Sequence, residues 1–194
     1  MILYYAPGAC SLADHIALRE AGLDFDTVRV DLKTHTTEDG RDYADINPKG
    51  YVPALVLDDG QLLTENIAIL SWIADRGQKL GADGVGRYRL LETLAFISAE
   101  LHKAFKPFFN PAASAEAKAE AGKAVERRLE YLAGELNGDY LFGDDFSVAD
   151  AYLFVMLAWA EKNGLQIPAA LRAHQERLRA RPAVRDALQQ EGLA

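Results

Sequence analysis

The sequence predicts an α/β domain followed by an all-helical domain, and three observations lead to this fold class. Over residues 1–77, short apolar or β-branched runs alternate with helical patterns in the order β-α-β-α-β-β-α. The stretch from Gly77 to Gly86 then contains four glycines and few apolar residues, which is typical of a linker. After it the strand patterns end, and apolar residues recur at helical spacing. We therefore predict domains at 1–77 and 87–194, joined by a linker at 78–86.

The predicted elements of the α/β domain are bounded by turn residues. The strands are Leu3–Tyr5, Thr27–Val30, Ala54–Leu57 and Gln61–Leu63, and the helices are Leu12–Ala21, Glu38–Ile46 and Glu65–Ala74. Gly22 is a stop signal for the first helix, and Asp58-Asp59-Gly60 is typical of a hairpin turn between the last two strands.

The helical domain is predicted as a succession of five helices. They are Arg87–Phe109, Ala115–Leu136, a helix from Ser147 to Asn163-Gly164, Pro168–Ala180 and Pro182–Glu191. Ser147 and Asp150 resemble a capping box with Asp in place of Glu. The prolines near the start of the last two helices fit the first turn, where the missing N–H is not needed.

The composition argues against several classes of protein. With 194 residues, 49% of them hydrophobic and 26% charged, the chain is expected to be a soluble globular protein with a core. A net charge of −8 without a basic stripe argues against nucleic acid and membrane surfaces as partners. No apolar run approaches the ~20 residues of a membrane span, and no secretory leader is visible. The single cysteine allows no internal disulfide and fits a cytoplasmic location.

The single cysteine stands at a position that favours reactivity. Cys10 follows a strand and a Pro7-Gly8 turn and opens a helix. The unpaired N–H groups and the positive end of the helix dipole favour a thiolate there. From position alone, a small buried cysteine without chemistry is an equally good interpretation.

Two further segments could bind a ligand through the backbone. In Val52-Pro53-Ala54, a cis proline before a strand would turn the Val52 backbone outward to pair with an extended peptide ligand. In Thr64-Glu65-Asn66, Thr64 is the predicted N-cap, the first N–H groups could bind a carboxylate, and Glu65 could accept from an ammonium. Each segment alone also fits an ordinary strand entry or helix start.

A histidine and a lysine in the long predicted helix complete the candidates. His102 shares a face with Ser98, Phe105 and Phe109, and Lys103 follows it. A histidine on such a face is more often structural than catalytic. The four histidines lack the spacing of metal ligands, and the cysteine lies elsewhere, so we predict no metal site.

Taken together, the motifs resemble the glutathione S-transferase family over essentially the whole chain. The resemblance rests on Tyr4-Tyr5-Ala6-Pro7-Gly8-Ala9-Cys10-Ser11-Leu12, Asp45-Ile46-Asn47-Pro48-Lys49-Gly50, Leu101-His102-Lys103 and Phe146-Ser147-Val148-Ala149-Asp150-Ala151-Tyr152-Leu153. These stretches are similar to the bacterial beta class in particular. The resemblance implies a thioredoxin-like domain, an all-helical domain and a homodimer that conjugates glutathione to hydrophobic electrophiles, as in detoxification.

The resemblance also implies residue roles. A glutathione site would comprise Ala9, Cys10, His35, Tyr51, Val52, Pro53, Glu65, Asn66, Glu100 and Lys103. In it, the Val52 backbone would pair with the cysteinyl part of glutathione, and Glu65 and Asn66 would hold the γ-glutamyl end. Cys10 would face the glutathione sulfur, with His102 as the second catalytic residue. The second-substrate side would include His102, Phe105 and Trp159, although Trp159 equally fits a core aromatic.

Four positions depart from the family pattern and leave alternatives open. His35 stands where a lysine is common, Tyr51 replaces a common glutamine, and Ala95 and Ala99 replace polar residues. These departures could weaken glutathione binding. One alternative is glutathione-dependent thiol-disulfide exchange through Cys10, because a cysteine can exchange with disulfides. The other is a non-catalytic binding or scaffold protein, because fold alone does not fix activity.

Overall fold

The computed structural model describes residues 1–77, 80–81 and 83–194. The strands are β1 (Ile2–Tyr5), β2 (Asp26–Asp31), β3 (Thr36–Thr37), β4 (Ala54–Val56) and β5 (Leu62–Thr64). The helices are α1 (Ser11–Glu20), α2 (Asn66–Ala74), α3 (Val85–Phe96), α4 (Lys106–Phe109), α5 (Ala115–Glu135), α6 (Val148–Lys162), α7 (Ala169–Arg179) and α8 (Pro182–Gln190). The predicted fold class, a thioredoxin-like sheet domain followed by helices, is confirmed.

The sheet has the order β3-β2-β1-β4-β5, with β1 parallel to β2 and the other pairs antiparallel. The side chains of β1 alternate between two cores, as the pleat of a strand requires. Leu3 joins the large core that includes α1 and α2, whereas Tyr4 joins a smaller cluster with Val30 and Tyr43 on the other face. Burial on both faces fixes the register, because a slip of one residue would exchange the two sets.

Helix α6 is the centre of the helical domain and also contacts the α/β domain. Most of its side chains are buried, and it packs against α1, α2, α3 and α7. The main hydrophobic core is therefore continuous from the sheet to the helices. None of the helices in the described ranges is long and apolar enough to cross a membrane.

The predicted helix Glu38–Ile46 is wrong. Thr36–Thr37 pairs with β2, and only a 3-10 turn forms at Tyr43–Asp45. Short polar side chains satisfy the backbone here in place of helical hydrogen bonds, since the Thr37 hydroxyl accepts from Arg41 N–H at 3.0 Å. Asp42 likewise accepts from Ala44 N–H at 2.9 Å. Residues of this kind compete with a helix through local hydrogen bonds.

The predicted helix Arg87–Phe109 forms as three segments. Helix α3 leads into a π-helix at Ile97–His102, and α4 follows as a separate short helix. Pro107 lies in the first turn of α4, where its missing N–H is tolerated, although it would break a continuous helix. Within the predicted linker 78–86, Gln78, Lys79 and Ala82 lie outside the described residues, and Val85 already begins α3. The division into domains at these positions stays a prediction.

The predicted capping box at the start of α6 is confirmed. The completely buried Asp150 carboxylate accepts from Ser147 N–H at 2.9 Å and from its hydroxyl at 2.6 Å. It also accepts from Leu141 N–H at 2.9 Å and lies 2.8 Å from His174 Nε2. One carboxylate therefore ties together the start of α6, the loop before it and α7.

Asp150→Ala should lower the free energy of unfolding by about 3–5 kcal/mol, because it leaves several buried donors without an acceptor. Ser114→Ala is the matched control, since it removes an exposed cap of α5 that accepts from Ala117 N–H at 3.1 Å. That loss should be about 1 kcal/mol. Urea denaturation of the three proteins measures both values, and equal losses would contradict the role given to Asp150.

Candidate active site

A cleft of about 860 Å³ lies between the two domains. Its α/β side is formed by the loop before α1, the segment before β4 and the start of α2, through Ala9, Cys10, Tyr51, Val52, Pro53, Glu65 and Asn66. Its helical side is formed by the π-helix, α4 and α6, through Ser98, His102, Phe108, Phe109, Tyr152 and Trp159. A space of this size is typical of a small-molecule site.

Cys10 lies at the floor of the cleft, at the N-cap position of α1. Its thiol donates to the Val52 carbonyl, with 3.5 Å between Sγ and the oxygen. Burial, with a smaller effect from Asp14, raises the pKa of the Cys10 thiol to about 12. The backbone N–H groups of Cys10 and Ser11 act in the opposite direction and lower the pKa by less. Of the two interpretations that the sequence left open for Cys10, burial favours the protonated thiol over a thiolate stabilised by the helix start.

The loop before Cys10 is held from the helical domain. Gly8 N–H donates to Glu191 Oε2 at 2.9 Å, and the Trp159 indole donates to the Gly8 carbonyl at 2.8 Å. Glu191 is in turn 2.9 Å from His15 Nδ1, and both of these side chains are completely buried. Gly8 has φ +68, a backbone conformation that glycine adopts without steric cost. The sequence analysis did not identify Glu191 as a site residue, because its partners lie far away along the chain.

The Val52–Pro53 peptide bond is cis, as the sequence suggested for this proline. The segment before it is fixed through the Tyr51 carbonyl, which accepts from Asn47 Nδ2 at 2.7 Å and from the Tyr43 hydroxyl at 3.1 Å. These two bonds place the Val52 backbone beside the Cys10 thiol. The turn residue Asn47 therefore has a direct part in shaping the cleft.

Glu65 lies at the mouth of the cleft in a strained conformation. Its φ of +74 is unfavourable for a residue with a side chain, and strain of this kind is concentrated at functional sites. Its carboxylate accepts from Lys49 Nζ and, at 2.7 Å, from the Tyr51 hydroxyl, and these bonds lower its pKa. The predicted N-cap Thr64 is wrong: it ends β5, and Glu65 occupies the cap position. The sequence analysis named Lys49 only within a stretch similar to the bacterial beta class and missed this contact.

A buried tyrosine contacts His102 on the helical side of the cleft. Tyr152 on α6 lies with its hydroxyl 2.7 Å from His102 Nδ1. Burial, with a smaller effect from Lys103, lowers the pKa of His102 to about 4, so the ring is neutral at pH 7. When the Tyr152 hydroxyl donates to Nδ1, the ring proton lies on Nε2 and is available as a donor. The sequence analysis did not identify Tyr152.

Aromatic side chains form the apolar wall of the cleft. The Trp159 ring lies at 4.9 Å from His102 and 4.7 Å from Phe109, measured between centroids. Phe105 is completely buried behind Trp159, with 5.5 Å between the two ring centroids. It was expected to line the cleft, and the structure corrects this. Phe108 and Phe109 line the wall where Phe105 was expected.

Three of the residues predicted to bind glutathione do not line the cleft of this chain. His35 is exposed on the loop before β3 and lies beside Gly50. Glu100 forms an ion pair with Arg128 of α5, and Lys103 is exposed at the end of the π-helix. Within the described ranges, no group of histidine, cysteine or acidic residues could hold a metal ion.

Family models and a curated relative both match this chain. Residues 9–76 match the family described as Glutathione S-transferase, N-terminal domain, and residues 96–182 match Glutathione S-transferase, C-terminal domain. The Escherichia coli O157:H7 glutathione S-transferase GstA is 44% identical over 200 residues, and the alignment covers the full length of both proteins.

Solved structures give the same result. A sphingomonad glutathione S-transferase complexed with glutathione is 51% identical, with a TM-score of 0.94 and complete coverage of both chains. A bacterial beta class enzyme from Sphingomonas chungbukensis is 49% identical, with the same TM-score and coverage. The chain therefore belongs to the glutathione S-transferase family, and within it resembles the bacterial beta class.

Proposed function

We propose that this glutathione transferase holds glutathione along the α/β side of the cleft and conjugates it to hydrophobic electrophiles that enter from the helical side. The observation that carries the proposal is the meeting of Cys10, Val52 and the Glu65–Asn66 pair in one cleft. The Val52 backbone would pair with the cysteinyl part as a strand does. The carboxylate of Glu65 and the polar Asn66 suit the charged γ-glutamyl end.

The chemistry requires a glutathione thiolate. A free thiol with a pKa of about 8.5 is only a few per cent ionised at neutral pH, and lowering the pKa by about 2 units takes roughly 2.7 kcal/mol. The Cys10 thiol is suited to donate to that thiolate, because its own raised pKa keeps it protonated. Neutral His102 and the N–H groups at the start of α1 are further candidate donors.

The second substrate would bind against the aromatic wall. Phe108, Phe109 and Trp159 line the helical side and offer apolar surface close to Cys10. The thiolate would attack an electrophilic carbon held there, so proximity supplies part of the rate and no covalent enzyme intermediate is needed.

Thiol-disulfide exchange through Cys10 is the second candidate function. It would need Cys10 as a thiolate, and the raised pKa of the buried thiol opposes this. A non-catalytic scaffold is the third candidate. The polar groups gathered at the cleft argue against it, since a scaffold has no need of the strained Glu65 beside Lys49.

Calorimetric titration with glutathione tests the proposed site directly. We expect saturable binding of reduced protein in the micromolar to low-millimolar range. Glu65→Gln should weaken it by about tenfold, because a charged contact to the ammonium is lost. Glu130→Gln on α5 removes one exposed carboxylate and should change nothing. No binding at several millimolar would favour the scaffold.

Replacement of Cys10 separates the two enzymatic candidates. Cys10→Ala should abolish any exchange with glutathione disulfide and should lower conjugation by less than about tenfold, because one donor among several is lost. Cys10→Ser keeps a donor and should conjugate better than Cys10→Ala. Exchange that persists in Cys10→Ala would contradict the redox candidate, and complete loss of conjugation in Cys10→Ser would contradict the role of Cys10 as one donor among several.

We also propose that the protein is a homodimer. Val85, Tyr88 and Leu91 recur on α3 at helical spacing and are 74%, 72% and 44% exposed, respectively. An apolar row of this kind is typical of a surface that a second copy covers. Light scattering should give about twice the 21.3 kDa of one chain. Tyr88→Arg should shift the mass toward the monomer, and a monomeric wild type would refute the proposal.

A cytoplasmic location is part of the same proposal. The chain has one cysteine, which is free, and this suits a reducing compartment. Cell fractionation checks this location.

A further inference from the structure

The side chains of Tyr51 and Glu65 meet at the mouth of the cleft, and the proposed function assigns no role to Tyr51. Both residues line the cleft. Tyr51 is 45% exposed, and the side chain of Glu65 is 52% exposed. The Tyr51 hydroxyl donates to Glu65 Oε1 at 2.7 Å. An exposed polar contact contributes little to folding, so its place in the cleft points to a role in binding.

The two oxygens of the Glu65 carboxylate have different surroundings. Oε1 accepts from both the Tyr51 hydroxyl and Lys49 Nζ. Within the described ranges, no residue donates to Oε2. Each carboxylate oxygen can accept about two hydrogen bonds, so the accepting capacity of Oε2 is left for a ligand. One oxygen anchors the side chain, and the other is available to a cation that enters the cleft.

Helix α2 does not fix the carboxylate of Glu65. The residue occupies the N-cap position of α2, but its side chain makes no cap hydrogen bond there. A half-exposed glutamate without an anchor samples several rotamers, and a ligand that needs one of them must offset the lost entropy. The contacts to Oε1 therefore decide how well the carboxylate is placed before a ligand binds.

The two donors to Oε1 act differently on the charge of Glu65. Lys49 forms an ion pair with the carboxylate, so it competes with a ligand cation for the same negative charge. Its flexible chain also brings Nζ within 3.0 Å of Thr64 Oγ1. The phenol of Tyr51 is neutral, because the hydrogen bond to Glu65, with a smaller effect from burial, raises its pKa. A neutral donor holds the carboxylate and leaves most of its charge to the ligand.

Tyr51 is itself held in place by the loop before β4. Its carbonyl accepts from Asn47 Nδ2 and from the Tyr43 hydroxyl, and its side chain has only two rotatable bonds that move the ring. Val52, the next residue, offers its backbone to the cysteinyl part of glutathione in the proposed function. Two adjacent residues thus set the spacing between that backbone and the carboxylate of Glu65.

We propose that Tyr51 is a positioning residue whose hydroxyl fixes the Glu65 carboxylate, so that its second oxygen accepts from the ammonium group at the γ-glutamyl end of glutathione. The inference deepens the proposed function and rests on it for the identity of the ligand. It assigns Tyr51 a part in the selection of this end of the ligand through Glu65 and not through a contact of its own.

The test compares two ligands by calorimetric titration at neutral pH: glutathione, and the analogue in which hydrogen replaces its ammonium group. Tyr51→Phe removes only the hydroxyl and should weaken the binding of glutathione about three- to tenfold, roughly the value of one hydrogen bond. It should weaken the binding of the analogue by less than about twofold, because the group that Glu65 would bind is absent. Tyr131→Phe removes an exposed tyrosine hydroxyl of α5 outside the cleft and should change neither affinity.

Steady-state kinetics with an activated chloronitrobenzene as the electrophile provides a second readout. A role confined to ground-state binding predicts that KM for glutathione rises in Tyr51→Phe by the same factor as the dissociation constant. The value of kcat at saturating glutathione should stay within about twofold of the wild type. A fall in kcat that matches the rise in KM would contradict the positioning role, because it would report a disturbed cleft.

Two outcomes of the titration would overturn the inference and leave the proposed function standing. One is equal weakening of glutathione and its analogue in Tyr51→Phe, since the phenol would then act on another part of the ligand. The other is unchanged affinity for both ligands. Absence of glutathione binding to the wild-type chain would instead overturn the proposed function, and with it this inference.

Discussion

The active site depends on the packing of α1 against α6, which joins the two domains through one core. Cys10 begins α1, and Trp159 on α6 reaches back to the Gly8 carbonyl. The loop that presents the thiol is thus held by a residue more than a hundred positions away. Neither domain alone could shape this loop, because Glu191, which binds its N–H, lies beyond α8. The cleft exists only where the domains meet.

The position of α6 has its own support. Asp150 fixes the first turn of α6. Further along the helix, the Tyr152 hydroxyl contacts His102, and the Trp159 indole donates to the loop before Cys10. The buried Asp150 side chain accepts from several donors, whereas the buried Asp14 side chain has the single side-chain partner Asn66 among the described residues. The same residue type therefore joins several segments at Asp150 and makes one side-chain contact at Asp14.

Sequence patterns predicted most of the fold because local signals and tertiary structure agree there. Alternating apolar residues located the strands, and Ser147 with Asp150 located the start of α6. The failures share a physical cause. Side-chain hydrogen bonds around Thr37 and Asp42 replace a helix, and the π-helix that carries His102 depends on packing with α5 and α6. Cys10, Val52, Glu65 and His102 were identified by motif, but Lys49, Tyr152 and Glu191 act through contacts that no spacing reveals.

The state of Cys10 shows why position alone was insufficient. A helix start stabilises an anion by about 0.3–2 kcal/mol. A pKa raised from 9.0 to about 12 corresponds to about 4 kcal/mol against the thiolate, so burial with a neighbouring carboxylate dominates. The N–H groups at the start of α1 are then available to the thiolate of glutathione bound in the cleft. A thiol that resists ionisation is a better donor to that sulfur than a thiolate, which would repel it. The chemistry of the site therefore follows from where negative charge is excluded as much as from where it is stabilised.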